Sequence, residues 1–331
     1  HLIKNNQMRK PKALWTEKKG GAKIELYNSE DEVGEARYVV QNILKFKGQG
    51  RTFADQVVFY RVHAQSRVLE DELMRANVPY KIVGGTRFYD RKEIKDIIAY
   101  LRLVAYPHDE VSLKRVINVP TRGIGKKALE ALELAAQGRT WDEVLQDLAA
   151  VQGLTPKAKN SLESFYSWLG KLRKKKNEMT VHEILERILE DTGYVAALEA
   201  ERTSEAQARL ENIEEFFSVI EDFMDRFCEG NGFPDHFKAA PTRSSDDGES
   251  QSPSPEATQL SAFLDSIELV TDLDAWDQGT NVLTLMTLHT AKGLEFPIVY
   301  MVGLEEGIFP HINTFGGPSD ELEEERRLCY V

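Results

Sequence analysis

Apolar residues near the start of the chain recur with two different spacings. Short runs rich in β-branched and aromatic residues predict strands at residues 23–27, 56–60 and 80–83. Apolar positions three or four residues apart predict helices at residues 31–46, 64–76 and 93–106. Strands that alternate with helices in this way indicate a parallel sheet with helices packed against it.

The middle of the chain has a different pattern. From residue 112 to residue 227 the apolar spacing is almost wholly helical. A further amphipathic helix follows, with one apolar face made by Leu260, Phe263, Leu264 and Ile267. Strand-like runs return at residues 282–288 and 298–302. The simplest interpretation is one α/β domain interrupted by an all-helical insertion.

These changes of pattern set the predicted domain borders. Residues 1–20 are polar and basic and form a tail or linker, and residues 21–106 form the first part of the α/β domain. The helical insertion covers residues 107–276, and residues 277–331 complete the α/β domain. Within the insertion, residues 234–258 are rich in Ser, Pro, Asp and Gly, so we expect a disordered loop there.

Charge and cysteine content narrow the class of protein. A net charge of −12 argues against a protein that coats nucleic acid by bulk electrostatics, although a local basic groove remains compatible with it. Cys228 and Cys329 lie far apart and lack metal-ligand spacing, which disfavours a disulfide scaffold or zinc site. We expect a cytoplasmic protein with no membrane partner. The chain starts at His1 with neither an initiator Met nor a signal-peptide pattern. Because it starts mid-pattern and stops at Val331, we also expect it to be a fragment of a longer polypeptide.

One candidate site follows the predicted strand at residues 282–288. Polar residues occupy the next turn, and ligands of open parallel sheets bind at such strand ends. In the functional interpretation, Lys292 contacts a phosphate and Glu295 contacts a hydroxyl group. The alternative is an ordinary loop with an exposed lysine and glutamate.

A second candidate is a glycine-rich turn that enters a helix, formed by Arg122, Gly123, Gly125 and Lys126. Backbone N–H groups in such a turn can bind a phosphate. The alternative is a plain helix N-terminus. The basic run at residues 171–176 is more typical of a solvated helix face and its terminus than of a DNA contact.

No loop of the type GxxxxGK[ST], which would hold nucleotide phosphates, is present in the sequence. The pair Gly125-Lys126 comes nearest, but Pro120 stands where the first glycine is required. We therefore expect this chain alone neither to bind ATP tightly nor to hydrolyse it.

Several blocks, in this order along the chain, resemble the motifs of superfamily 1A DNA helicases of the UvrD/PcrA/Rep type. They are residues 58–61 with 64–70 (motif IV), 82–96, 118–125, 287–296 with 303–310 (motif V) and 323–331 (start of motif VI). The resemblance implies a RecA-like motor domain (2A) interrupted by a helical domain (2B), with residues 1–20 as the tail of a first motor domain (1A).

The same resemblance implies roles for individual residues. Tyr60 would stack on adenine, Arg61 would reach the ATP γ-phosphate, and Glu295 would accept from the ribose hydroxyl. His289 and Lys292 would contact single-stranded DNA, and the turn at Arg122, Gly123, Gly125 and Lys126 would contact duplex DNA.

Simpler alternatives stay open for three of these positions. Tyr60 could be a core tyrosine at a strand end. Arg61 could be a surface arginine paired with a carboxylate. The segment Arg87-Phe88-Tyr89 could lie near a strand-separating groove or in the core.

The function implied is part of an ATP-dependent 3′–5′ DNA helicase acting on single-stranded DNA and on single-strand/duplex junctions. ATP and Mg²⁺ would be bound mostly by the upstream domain, and the partners would be repair or replication proteins. The alternative is a non-catalytic module that binds DNA or a protein partner through a degenerate RecA-like fold.

Overall fold

The structure is a computed structural model that describes residues 2–6, 20–228, 259–273, 281–314 and 319–330. It divides into two compact units. The α/β unit comprises His1–Phe88 and Ala275–Val331, and the helical unit comprises Tyr89–Asp274. The segment predicted to be disordered, residues 234–258, lies outside the described residues.

The α/β unit is built on a parallel sheet, as the alternating pattern predicts. Within the described residues the sheet has four strands in the order β2-β3-β1-β4. Their bounds are Gln56–Tyr60 (β1), Tyr80–Val83 (β2), Leu283–Thr287 (β3) and Ile298–Met301 (β4). Each observed strand lies at or within one residue of its predicted ends, so these four strand predictions are confirmed.

Helices pack against the sheet, and the hydrophobic core of the unit lies between them. The helices of this unit are α1 (Glu32–Gly48), α2 (Ser66–Arg75) and α12 (Ser319–Tyr330). Asp31 caps α1 by accepting from the Gly34 N–H at 2.6 Å. Ile43 on α1, Leu73 on α2 and Leu285 on β3 are all fully buried in one cluster. Burial of these side chains is the main stabilising contribution to the unit.

The strand predicted at residues 23–27 is wrong. The segment forms no strand and has no ladder partner among the described residues. Ile24 and Leu26 are 98% and 87% exposed, and Tyr27 stacks on Tyr38 with ring centroids 3.7 Å apart. Alternating apolar residues favour a strand only where a neighbouring backbone supplies hydrogen bonds, and sequence periodicity does not reveal that neighbour.

The helical unit confirms the helical pattern of the middle of the chain. Its helices are α3 (Lys92–Ala105), α4 (Glu110–Val116), α5 (Lys126–Ala135), α6 (Trp141–Gln146), α7 (Pro156–Lys175), α8 (Val181–Thr192), α9 (Tyr194–Glu201), α10 (Ser204–Cys228) and α11 (Gln259–Leu273). Threonine caps begin three of these helices, at Thr140, Thr155 and Thr180. On α11, the predicted apolar face from Leu260 to Ile267 is buried.

Helix α3 belongs to the helical unit, whereas the sequence pattern had placed residues 93–106 with the sheet. Asp96 on α3 accepts from the Tyr194 hydroxyl at 3.0 Å and pairs with the Arg115 guanidinium at 2.7 Å. The first division of the chain therefore falls between Phe88 and Tyr89. The apolar spacing of a helix that follows a strand shows that one face is buried, but it does not show which layer covers that face.

Candidate functional site

Three loops meet at the carboxyl edge of the sheet in the α/β unit. The Leu288 N–H, just after β3, donates to the Tyr60 carbonyl at the end of β1, at 2.9 Å. A Cβ on Gly84, which follows β2 and has a φ of +81°, would lie 3.0 Å from Thr290 Oγ1. The chain after β1, β2 and β3 is therefore brought together, at the edge where open parallel sheets bind ligands.

Arg61 is the first residue after β1, and its guanidinium is held by a carboxylate. The Arg61 Nη2 lies 2.7 Å from Glu325 Oε1, and its Nε lies 3.0 Å from Oε2. The side chains are only 19% and 8% exposed. The pairing with a carboxylate that the sequence left open is therefore present, although it is largely buried and bidentate rather than a loose surface pair.

Glu325 is fixed by more than Arg61. Its Oε2 also accepts from the His311 backbone N–H at 3.2 Å. Burial alone would raise the pKa of Glu325, but the hydrogen bonds and charge of Arg61 and the His311 N–H outweigh burial and lower this pKa below its usual value. Glu325 therefore remains a carboxylate at neutral pH.

The backbone next to Arg61 is held by Gln65. The Gln65 Oε1 accepts from the N–H groups of Arg61 and Val62 at 2.8 and 3.0 Å. Gly303, the second residue after β4, has a φ of +67°, and a Cβ there would lie 2.0 Å from Gln65 Nε2. The close approach of Gly303 and the two backbone hydrogen bonds fix the start of the loop that carries Arg61.

The turn after β3 presents the residues that resemble motif V. His289, Lys292 and Glu295 are all exposed. The turn is closed by Thr287, whose carbonyl accepts from the N–H groups of Thr290 and Ala291 at 3.0 and 3.1 Å. Exposed side chains on a short, hydrogen-bonded turn are available to a ligand without rearrangement of the core.

His289 lies within the electrostatic influence of Arg61. The pKa of His289 is lowered, chiefly because its ring is partly buried and also because Arg61 carries a positive charge. The carboxylates of Glu325 and Glu324 raise this pKa, but their effect is smaller. The imidazole is therefore mostly neutral at pH 7. In that form it can donate a hydrogen bond or stack on a base, but it adds little positive charge.

Tyr60 does not present a platform for a base in this structure. Its side chain is 0% exposed and belongs to the hydrophobic core with Val58 and Leu285. The edge of its ring packs against His63, with centroids 5.8 Å apart. Val58 and Tyr60 lie two residues apart on β1, so their side chains point to the same covered face of the sheet. The geometry matches the core interpretation, so an adenine-stacking role would require displacement of the residues that cover the ring.

Arg122, predicted to contact DNA, is instead a structural cap inside the helical unit. Its Nη1 donates to the carbonyls of Val116, Ile117 and Val119 at 2.9, 3.2 and 3.1 Å. Its Nη2 donates to the Tyr100 hydroxyl at 2.5 Å. A guanidinium satisfies carbonyls at a helix C-terminus and complements the negative end of the helix dipole. The prediction that Arg122 faces DNA is therefore not supported by its geometry.

The two glycines and the lysine of this turn face solvent, whereas Ile124 between the glycines is buried. Asn118 Oδ1 accepts from the N–H groups of Arg122 and Ile124 at 2.8 and 3.1 Å and so shapes the turn. Gly123, with a φ of +79°, Gly125 and Lys126 are exposed. The Lys126 side chain is 91% exposed. This turn and this lysine remain available to a phosphate.

The basic run at residues 171–176 acts partly as another helix cap. Arg173 Nε donates to the Leu103 carbonyl at 2.9 Å, and Lys176 Nζ donates to the Ala105 carbonyl at 3.1 Å, both near the end of α3.

Sequence reasoning missed the contacts of Arg173 and Lys176, and it missed the roles of Gln65, His311 and Glu325 at the carboxyl edge of the sheet. Glu325 lay within a quoted motif, but its partner is 264 residues away.

In the segment at residues 87–89, the two aromatic residues are buried, as the core alternative predicts, whereas Arg87 is only partly buried. Phe88 is 0% exposed and Tyr89 is 7% exposed. The Phe88 N–H donates to Glu70 Oε2 at 3.3 Å, and that oxygen also accepts from the Tyr80 hydroxyl at 3.1 Å. Two aromatic rings buried in this way do not offer a surface to DNA.

The chain matches the model of the UvrD-like helicase C-terminal domain over residues 1–331. It belongs to this family. It is 43% identical to the ATP-dependent DNA helicase PcrA of Bacillus subtilis over 339 aligned positions, which cover 100% of this chain and 42% of that protein. The helicases PcrA of Staphylococcus epidermidis and Staphylococcus aureus are each 41% identical, with the same shares covered. The chain therefore spans about 42% of the length of these relatives.

Among the described residues, no group of three or more His, Cys, Asp and Glu side chains is arranged to hold a metal ion. Within the same part of the chain, no helix is both long and apolar enough to cross a membrane.

Proposed function

We propose that this chain is the C-terminal part of an ATP-dependent DNA helicase that moves 3′ to 5′. The observation that carries the proposal is the carboxyl edge of the sheet, where Arg61 lies beside a turn that exposes His289 and Lys292. A phosphate-binding guanidinium and a DNA-facing turn on one edge suit a motor that couples nucleotide state to its grip on DNA.

Arg61 and Glu295 are the residues proposed to face ATP. A guanidinium matches the planar array of phosphoryl oxygens, and it stabilises negative charge on the γ-phosphoryl group. The exposed Glu295 carboxylate can accept from a ribose hydroxyl. Tyr60 is left out of the proposal because its ring is covered. Most ATP and Mg²⁺ ligands would come from an upstream domain, so the chain alone is proposed to be inactive.

DNA is proposed to contact both units separately. His289 and Lys292 would bind single-stranded DNA, with Lys292 supplying charge and His289 a hydrogen bond or a stacking face. The N–H groups at Gly123 and Gly125, together with Lys126, would bind a phosphate of duplex DNA. Such contacts suit a junction between single and double strands, and repair or replication proteins would be the partners of the whole protein.

The proposal is tested by strand separation with the complete helicase polypeptide, in which this chain follows an ATP-binding domain. We expect ATP-dependent unwinding of a duplex with a 3′ single-stranded tail, little unwinding of a 5′-tailed duplex, and none by this chain alone. Arg61→Ala should abolish unwinding, and Arg51→Ala, at an exposed position in the same unit, should not. Unwinding that persists in Arg61→Ala would contradict the assigned role, and DNA binding without ATP hydrolysis would favour a non-catalytic module.

A further inference from the structure

The way in which Glu325 holds Arg61 leaves one edge of the guanidinium available. All three hydrogen bonds between the two side chains use Arg61 Nε or Nη2, at distances of 2.7 to 3.1 Å. Within the described residues, Arg61 Nη1 has no hydrogen-bond partner. A guanidinium has five N–H donors in a rigid plane, so a carboxylate on one edge fixes the direction in which the other edge points.

The carboxylate is itself anchored on two sides. Glu325 lies on α12, and the His311 N–H donates to Glu325 Oε2 at 3.2 Å. Only 8% of the Glu325 side chain is exposed, so water competes weakly with Arg61 for its oxygens. A fixed acceptor of this kind restricts the rotamers of a long, flexible arginine and reduces the entropy lost when Arg61 binds a further group.

We propose that Glu325 is a positioning residue for ATP hydrolysis: it holds Arg61 by the Nε–Nη2 edge and leaves Nη1 directed toward the γ-phosphoryl group. This inference rests on the proposed function of Arg61 and adds a residue to it. Glu325 touches neither nucleotide nor DNA and acts only through Arg61. Because α12 carries Glu325 and the preceding loop carries His311, movements of this segment would be transmitted to Arg61.

The test measures steady-state ATP hydrolysis by the complete helicase with saturating single-stranded DNA. Glu325→Gln keeps the shape of the side chain but removes its charge and one acceptor. We expect kcat to fall about tenfold to a hundredfold, as for a misplaced catalytic group, while KM for ATP changes less than about twofold. Glu324→Gln is the matched control, since Glu324 is the neighbouring residue on α12 and its side chain is 70% exposed.

A double-mutant cycle separates positioning from a general effect on the fold. If Glu325 acts through Arg61, Glu325→Gln should change kcat less than about twofold in an Arg61→Ala background. An equal loss of kcat in both backgrounds, or a wild-type kcat in Glu325→Gln, would overturn the inference. If Glu325→Gln fails to fold, Glu325→Asp replaces it, with a smaller loss of kcat expected and the same cycle applied.

The two proposals fail in different ways. If Arg61→Ala hydrolyses ATP as fast as the wild type, the role proposed for Arg61 fails and the inference fails with it. If Arg61→Ala hydrolyses ATP much more slowly than the wild type but Glu325→Gln matches the wild type, the role of Arg61 stands and only the positioning role of Glu325 is refuted.

Discussion

Arg122 caps a helix in the structure, whereas the sequence suggested that it contacts DNA, so substitution of this residue separates the two roles. Arg122→Ala removes one guanidinium that donates to three main-chain carbonyls and to the Tyr100 hydroxyl. Two of those carbonyls belong to Val116 and Ile117, at the C-terminal end of α4. The Tyr100 hydroxyl also donates to the carbonyls of Val116 and Val119, so these two keep a partner in Arg122→Ala. The Ile117 carbonyl loses its bond to Arg122, and the charged donor is lost at all three carbonyls, so we expect the helical unit to lose stability.

The size of the loss follows from the number and kind of bonds. Hydrogen bonds from a charged donor contribute about 1.5–3 kcal/mol each, but one nitrogen shared by three carbonyls counts as little more than one bond. We count two such bonds and take the low end of the range for each, because Arg122 is only half-buried. The expected loss in the free energy of unfolding is then about 3 kcal/mol. For a unit of this size, each kcal/mol shifts the Tm by about 2–4 °C, so the expected decrease is about 6–12 °C.

Differential scanning calorimetry of the chain provides the assay. Lys126→Ala is the control, since that side chain is 91% exposed and should leave the Tm within about 1 °C of the wild type. Duplex DNA binding by the complete helicase should respond in the opposite way, with a weaker affinity and a smaller salt dependence in Lys126→Ala. An unchanged Tm in Arg122→Ala, together with DNA binding weakened as by the loss of a phosphate contact, would contradict the capping role of Arg122.

Three further predictions concern the α/β unit. Gly303→Ala should lower the free energy of unfolding by about 1–3 kcal/mol, because φ is +67° and the new Cβ would meet Gln65, whereas Gly48→Ala, with open space around it, should not. Glu325 has a pKa below its usual 4.5, so its stabilising contribution is complete above that pH and is lost as pH falls through the folded pKa. Urea titrations from pH 7 to pH 3 should show a larger loss of stability in the wild type than in Glu325→Gln. The pKa of Glu35 is raised, chiefly by burial and also by nearby carboxylates, although the Gly303 N–H opposes the shift. Charged Glu35 is therefore unfavourable at pH 7, and Glu35→Gln should raise the Tm there but not at pH 4, where the wild-type carboxyl is largely protonated. Equal changes at both pH values would contradict this assignment.

The sequence predicted the sheet well because its strands carry local signals. Runs such as residues 56–60 combine β-branched and aromatic residues with turn signals on either side, and four of five strand predictions were confirmed. The failure at residues 23–27 has a physical cause, since Ile24 and Leu26 alternate as in a strand but find no described ladder partner.

The contacts of individual side chains were harder to predict than the secondary structure. A glycine-rich basic turn suggests a phosphate contact, and the sequence does not show that the Arg122 guanidinium turns inward to the end of α4. Glu325 and Arg61 are brought together only by the packing of α12 at the carboxyl edge of the sheet. Tyr60 is covered because it shares a strand face with Val58, which a period of two could have indicated.

We propose that Arg61 serves ATP hydrolysis and that the turn bearing Lys292 binds DNA, both from one edge of the sheet. The most direct test is the rate of ATP hydrolysis by the complete helicase as a function of single-stranded DNA concentration. Arg61→Ala should lower the maximal rate at every DNA concentration. Lys292→Ala should raise the DNA concentration needed for half-maximal rate and leave the maximum nearly unchanged. Wild-type curves for both variants, or the same change in both, would contradict the roles proposed for Arg61 and Lys292.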